Sequence, residues 1–117
     1  MVIGVGLDLE EFAVLRSVEQ PAREAFLARW FSPGEQRWCR GQRDSGRAMT
    51  ILVACREAVA KAAGLALLDV PPFHISRGRL PGRVTVPTPA GRRDILLRWS
   101  ATHRAVLASA LAFGPGP

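Results

Sequence analysis

One stretch narrows the folds open to this chain more than any other: RDSGRAMTILVACREAVAKAAG, ending at Gly64. It reads as a helix of roughly 18 residues closed by a glycine C-cap. ILVAC, AVA and AAGLALL leave it apolar on nearly every side. A helix that is apolar all round has to be buried, so the rest of the 117 residues must cover it. Two charges interrupt its second half, Glu57 and Lys61, at i and i+4 in the order that favours a side-chain ion pair. On a solvated face such a pair contributes about 0.3–0.5 kcal/mol. Inside an apolar helix the same groups must be paired or functional, because burying bare charge is costly. Lys61 is also the only lysine, against fifteen arginines. Arginine cannot release a proton near neutral pH, whereas lysine is a compact point charge that can.

The segments on either side supply the cover. VIGVGLDL predicts a buried strand over residues 2–9, ending at Asp8. EEFAVLRSVEQ predicts a short helix with acids in its first turn, where the helix dipole favours them. PAREAFLARW predicts a second helix, with Ala22, Phe26 and Trp30 on one face. FSPGEQRWCRG carries the marks of a third: Ser32 as N-cap, Pro33 in the first turn, Glu35 three residues after the cap and Gly41 as the stop. After Gly64 the texture changes. FHISRG, RVTVPTP, DILLRWSAT and AVLASALAF alternate or run apolar between Pro and Gly turns and are expected as strands. Strand, helices and then a strand-rich half describe an α+β domain with a mostly antiparallel sheet. No repeat or linker divides it, so a single domain over residues 1–113 is expected, with GPGP closing in a short loose tail at 114–117.

Charge and composition exclude several classes of function. Sixteen basic against ten acidic residues give +6, with a pI near 11.2, which favours an anionic partner. The arginines are scattered and tyrosine is absent, so the interleaved aromatics of a nucleic-acid platform are missing. No apolar run approaches the roughly 18 residues of a membrane span. MVIGVGLDLEEF lacks the basic start of a secretory signal. Cys39 and Cys55 have neither metal nor redox spacing and are expected as reduced, buried thiols in a cytoplasmic protein.

The residues that could carry chemistry are few. Asp8, at the expected strand end with Glu10 and Glu11 just beyond, either caps the next helix or holds a ligand at the sheet edge. His103 lies beside Ser100, Thr102 and Arg104, while His74 sits in a turn. No second His or Cys stands at zinc-ligand spacing. There is no G-x-S-x-G elbow, no phosphate-binding P-loop and no dinucleotide fingerprint.

Taken in order, four segments resemble the holo-(acyl-carrier-protein) synthase type of 4′-phosphopantetheinyl transferase: GVGLDLEEF, WFSPGE, CREAVAKAAG and WSATHRAV. They match that family's G-(I/V)-D strand end, F-(T/S)-x-x-E, K-E-A-x-x-K-A-x-G helix and late S-x-(S/T)-H. The resemblance implies the 4′-phosphopantetheinyl transferase fold. It also implies transfer of the arm of coenzyme A to a serine of an acidic acyl carrier protein of fatty-acid or polyketide synthesis, releasing 3′,5′-ADP. In that scheme Asp8 and Glu57 would hold Mg²⁺, with Glu10 as a possible third ligand. Glu57, or a metal-bound water, would take the serine proton. Lys61 would stabilise or protonate the leaving group, and His103 would meet the nucleotide end of coenzyme A, with Arg56 and Gly64 along the same cofactor site. Arg16, Arg23 and Arg29 would receive the carrier, and the assembly would be a homotrimer with its sites between subunits. The chain departs from the pattern at Arg56, where the family has lysine, and at Gly64-Leu65-Ala66-Leu67, where it has G-T-G. RGRLPGRV only loosely echoes the G-K-P turn, and the chain is shortened after His103. These departures favour an alternative, a non-catalytic module of the same fold that binds a carrier protein or coenzyme A. A small RNA-binding domain, supported by charge alone, is the third possibility.

Overall fold

Two glycines decide how the layers of this molecule meet. In the computed structural model, which describes residues 1–114, Gly4 and Gly6 lie directly beneath the last turns of the long helix. A Cβ at either would collide with the carbonyl oxygen of Ala62 or Ala58. Helix and strand therefore pack backbone to backbone, which only glycine permits.

The elements run β1 (Val2–Glu11), α1 (Phe12–Arg16), α2 (Gln20–Trp30), α3 (Pro33–Arg40), α4 (Ser45–Ala63), a 3₁₀ turn (Leu67–Asp69), β2 (Arg83–Thr88), β3 (Gly91–Ala101) and β4 (Ala105–Phe113). The four strands form one sheet in the order β1-β4-β3-β2, with every neighbouring pair antiparallel. α4 lies across one face of this sheet, and the short helices cover its far side. Ile51, Leu52, Ala54, Ala58 and Val59 of α4 meet Ile95, Leu97, Val106, Ala108 and Ala110 of the sheet in a single core. The expected α+β fold is the one observed.

Local chemistry explains the helix ends. Asp44 caps α4 by accepting from the Arg47 N–H at 2.9 Å, and Gly64 closes it in the left-handed conformation at φ 69°. α3 begins with the full capping box: Ser32 accepts from the Glu35 N–H, and Glu35 accepts from the Ser32 N–H.

The structure corrects several expectations. β1 does not stop at Asp8 but continues to Glu11, so Asp8 sits in mid-strand and caps no helix. Nor is the strand buried on both faces. It is an edge, and Val5, Leu7 and Leu9 on its outer face remain 58%, 57% and 66% exposed. The acids expected in the first turn of α1 stay in the strand, and that helix has only five residues. In α2 the buried side chain is Leu27, whereas Ala22 and Trp30 are exposed; α2 meets the core through a narrower stripe than the i, i+4, i+8 spacing predicted. FHISRG forms no strand, only an isolated bridge between Ser76 and Arg79. AVLASALAF forms β4 through Phe113 as expected, and the Gly114 N–H beyond it donates to the Met1 carbonyl. The expected tail from 115 onward lies outside the described residues.

Candidate active site

Alternation along β1 sorts its side chains by face. Gly4, Gly6, Asp8 and Glu10 point toward α4, while Ile3, Val5, Leu7 and Leu9 point away. The two glycines draw the helix in, and the two carboxylates that follow emerge where α4 presents Glu57 and Lys61.

Lys61 does not form the expected pair with Glu57. Its Nζ donates to Asp8 Oδ1 at 3.1 Å and to the Leu7 carbonyl at 2.9 Å, bridging helix to strand. The backbone-to-backbone approach at Gly4 and Gly6 explains this, since it brings Asp8 closer to the lysine than a residue one turn back on its own helix. The Asp8 side chain is only 11% exposed, and its second oxygen, Oδ2, is buried without a hydrogen-bond partner. Beside it, Glu10 is raised from an ordinary 4.5 to about 7. Burial contributes most. Asp8 follows, through a hydrogen bond that only a protonated Glu10 can donate and through charge repulsion; Glu57 adds repulsion, and Lys61 alone opposes it. Three carboxylates thus crowd around one ammonium, leaving a net negative centre.

That centre suits a hard divalent cation in part. An orphaned buried carboxylate oxygen and a carboxyl held partly protonated by its neighbours are what an added positive charge would relieve. Yet among the described residues no group of three His, Cys, Asp or Glu side chains converges at ligand spacing. The expected triad of Asp8, Glu10 and Glu57 is therefore not a preformed three-ligand cage.

The other expected residues fall elsewhere. Arg56 turns inward, only 11% exposed, and donates to Glu35 Oε2 at 3.1 Å and the Val70 carbonyl at 2.7 Å, above the Phe73 ring. In this chain it serves an internal ion pair. Glu35 is fully buried and also accepts from the Phe73 N–H at 3.2 Å. The capping box was legible as local spacing, but nothing in that spacing announced that Glu35 would anchor a second helix and the chain beyond it. His103 is exposed in the β3–β4 turn, lining a cleft with Glu11, Arg16 and Arg104. Because Glu11 pairs with Ala105 and Asp8 with Ala108, one chain does not bring His103 to Asp8. Gly64 and Lys61 line another cleft at the end of α4. Arg16 is tied to Asp44, and Arg29 stacks 5.4 Å from the Trp30 ring; Arg23 bonds Gln20. Cys39 and Cys55 are free and buried, and burial pushes both thiols up to about 12.

An α+β domain with an acid cluster on an edge strand, met by a glutamate and a lysine one turn apart on a central helix, defines a small class of proteins. The family model of the 4′-phosphopantetheinyl transferase superfamily matches residues 4–104, and the chain belongs to that family. It is 32% identical over 89 residues to a holo-[acyl-carrier-protein] synthase of Chlamydia muridarum, with 74% of this chain and 71% of that one covered. The protein of the same name from Trichlorobacter lovleyi is 32% identical over 69 residues, 59% of this chain and 55% of the relative. The chain thus spans little more than half of some curated relatives it matches. The fold also matches solved structures. Holo-[acyl-carrier-protein] synthase from Neisseria meningitidis superposes with a TM-score of 0.67 at 17% identity, covering 97% of this chain and 100% of the other. The Bacillus anthracis enzyme, solved in complex with CoA (3′,5′-ADP), gives 0.60 at 18% identity, covering 96% of each.

Proposed function

We propose that this protein is a holo-(acyl-carrier-protein) synthase, moving the 4′-phosphopantetheine arm of coenzyme A onto a serine of an apo-acyl carrier protein and releasing 3′,5′-ADP. The observation that carries this reading is the joining of Asp8 to Lys61 across the glycine contact, with Glu10 and Glu57 alongside. Asp8 and Glu57, with Glu10 beside them, would hold Mg²⁺ with water and phosphate oxygens completing its shell. The ion, when bound, supplies positive charge against the diphosphate. Glu57, or a metal-bound water it orients, would accept the proton of the attacking serine. Lys61, held by Asp8 and the Leu7 carbonyl, directs its charge to the leaving phosphate. Glu35 and Arg56 fix the helix face from which Glu57 projects.

Beside the acids an apolar trough runs past Val14, Leu15, Phe26 and Val53 toward Trp30 and Leu68. We assign the carrier to this side. Arg23 and Arg29 supply charge there for an acidic partner, while Arg16 is largely neutralised by Asp44. The uncovered outer face of β1 and β4, with Val5, Leu7, Leu9, Leu107 and Leu111, supports self-association, because a monomer rarely leaves such a patch bare, and the family resemblance makes that assembly a homotrimer. A neighbouring subunit would then bring the His103 that one chain cannot. Free, buried cysteines agree with a cytoplasmic location.

The deciding experiment mixes the protein with coenzyme A, Mg²⁺ and apo-carrier and weighs the carrier by mass spectrometry. A gain of the phosphopantetheine arm, lost in Glu57→Gln, is the expected outcome. Carrier or coenzyme A binding without any gain would instead establish the non-catalytic module, the alternative favoured by Gly64-Leu65-Ala66-Leu67.

A further inference from the structure

The cleft at the end of α4 has a second cation that none of the expected site residues includes. Its walls are the start of β1, the last turn of α4 with Lys61 and Gly64, and the β2–β3 hairpin with Thr88 and Arg93. It encloses about 660 Å³, room for a nucleotide-sized ligand. Arg93 pairs with Val86 and shares a sheet face with Ile95 and Leu97, both buried beneath α4, so it is directed to the helix side. Its guanidinium reaches only the carbonyls of Ala90 and Arg92, at 3.4 and 3.2 Å. Among the described residues no carboxylate forms an ion pair with it.

This cation stands where the local electrostatics require one. α4 ends at the cleft, so its unpaired carbonyls present the negative end of the helix dipole. Lys61 is partly neutralised by Asp8 and also donates to the Leu7 carbonyl. A doubly charged phosphate group entering this cleft would be poorly balanced by Lys61 alone. We propose that Arg93 is the second phosphate-binding cation of this cleft, gripping the diphosphate of coenzyme A together with Lys61. Two parallel N–H donors suit neighbouring phosphate oxygens, and Gly4 and Gly64 put no side chain in the way. The diphosphate is assigned, and not the 3′-phosphate, because Lys61 stands between this cleft and the carboxylates where transfer is proposed. The assignment rests on the transferase reading above.

Calorimetric titration of coenzyme A and of dephospho-coenzyme A, which lacks only the 3′-phosphate, tests it. Arg93→Gln is expected to weaken both ligands equally, by roughly tenfold to a hundredfold, and Arg93→Lys to recover part of the loss. Arg92→Gln, which removes the same charge one residue away on the other sheet face, should leave both affinities unchanged. Unaltered affinity in Arg93→Gln overturns the proposal. So does an equal loss in Arg92→Gln, or a loss confined to coenzyme A. Carrier loading measured alongside separates the two claims. Wild type that binds coenzyme A through Arg93 yet loads no carrier overturns the transferase and keeps the cleft. Intact loading with an indifferent Arg93→Gln overturns the cleft alone, and wild type that binds no coenzyme A overturns both.

Discussion

Replacing Glu10 by glutamine should make the protein more stable at alkaline pH and leave it unchanged in acid. Folding raises the Glu10 carboxyl from 4.5 to about 7, so the folded chain keeps a proton that the unfolded chain has released. Below about pH 4.5 both states are protonated and Glu10 costs nothing. Between there and about pH 7 the fold loses stability progressively, and above it the penalty is complete. The full displacement would correspond to roughly 3 kcal/mol at about 1.4 kcal/mol per tenfold change. Glu10 is only partly buried, and screening by solvent reduces this to about 1–2 kcal/mol. Glutamine carries no charge, and its amide can still donate to the Asp8 carboxylate as a protonated Glu10 carboxyl would. Urea denaturation from pH 4.5 to pH 8.5, without divalent cations, should show a gap between variant and wild type that opens with pH to about 1–2 kcal/mol, or roughly 3–8 °C in Tm. Adding Mg²⁺ at pH 8 should narrow it, because a cation held by the cluster relieves the repulsion on ionised Glu10, which the variant lacks. Parallel pH profiles of the two proteins would refute the reasoning, since they would mean that Glu10 does not feel Asp8 and Glu57.

Other perturbations probe the surrounding frame. Arg56→Ala leaves the fully buried Glu35 carboxylate uncompensated and should cost about 3–5 kcal/mol, measured by urea denaturation at pH 7; a cost below about 1 kcal/mol would mean that water replaces the guanidinium. Lys61→Arg should keep the fold by circular dichroism and the coenzyme A affinity, yet lower turnover, because the planar fork cannot release a proton as an ammonium can. Turnover equal to wild type would reduce Lys61 to an electrostatic tie. Leu9→Lys combined with Leu107→Lys, at paired positions on the bare outer face, should convert the proposed trimer to monomer in light scattering. A trimer that survived would place the subunit contact elsewhere.

What was legible in the sequence was what local spacing controls. The capping box at Ser32 and Glu35, the glycine stop at 64 and the length of α4 each depend on neighbours within one helical turn, and they appear as read. Charge partners were not legible, because they span the chain: Lys61 bonds Asp8 across 53 positions and Arg56 bonds Glu35 across 21. Helical spacing offered Glu57 as the nearer partner, and only the packing of α4 on β1 reverses that choice. Strand ends were equally ambiguous. Glu10 and Glu11 suit a helix start as well as a strand edge, and the ladder with β4 decided for the strand. FHISRG has strand-like alternation but no neighbouring strand within reach beyond one bridge.

The bare backbones at Gly4 and Gly6 act as a ruler for the centre beside them. The gap between helix and strand is set by atoms that cannot change rotamer, so the span from Asp8 to Lys61 does not depend on how other side chains settle. A single methyl group would sit 2.0 Å from the Ala62 carbonyl oxygen at position 4, or 1.9 Å from that of Ala58 at position 6, and relieving the overlap would lever the two apart by roughly 1 Å. The acid and the lysine would remain, each intact, at the wrong separation. Within this fold, the spacing of the acid and the lysine is held by two residues with no functional group at all.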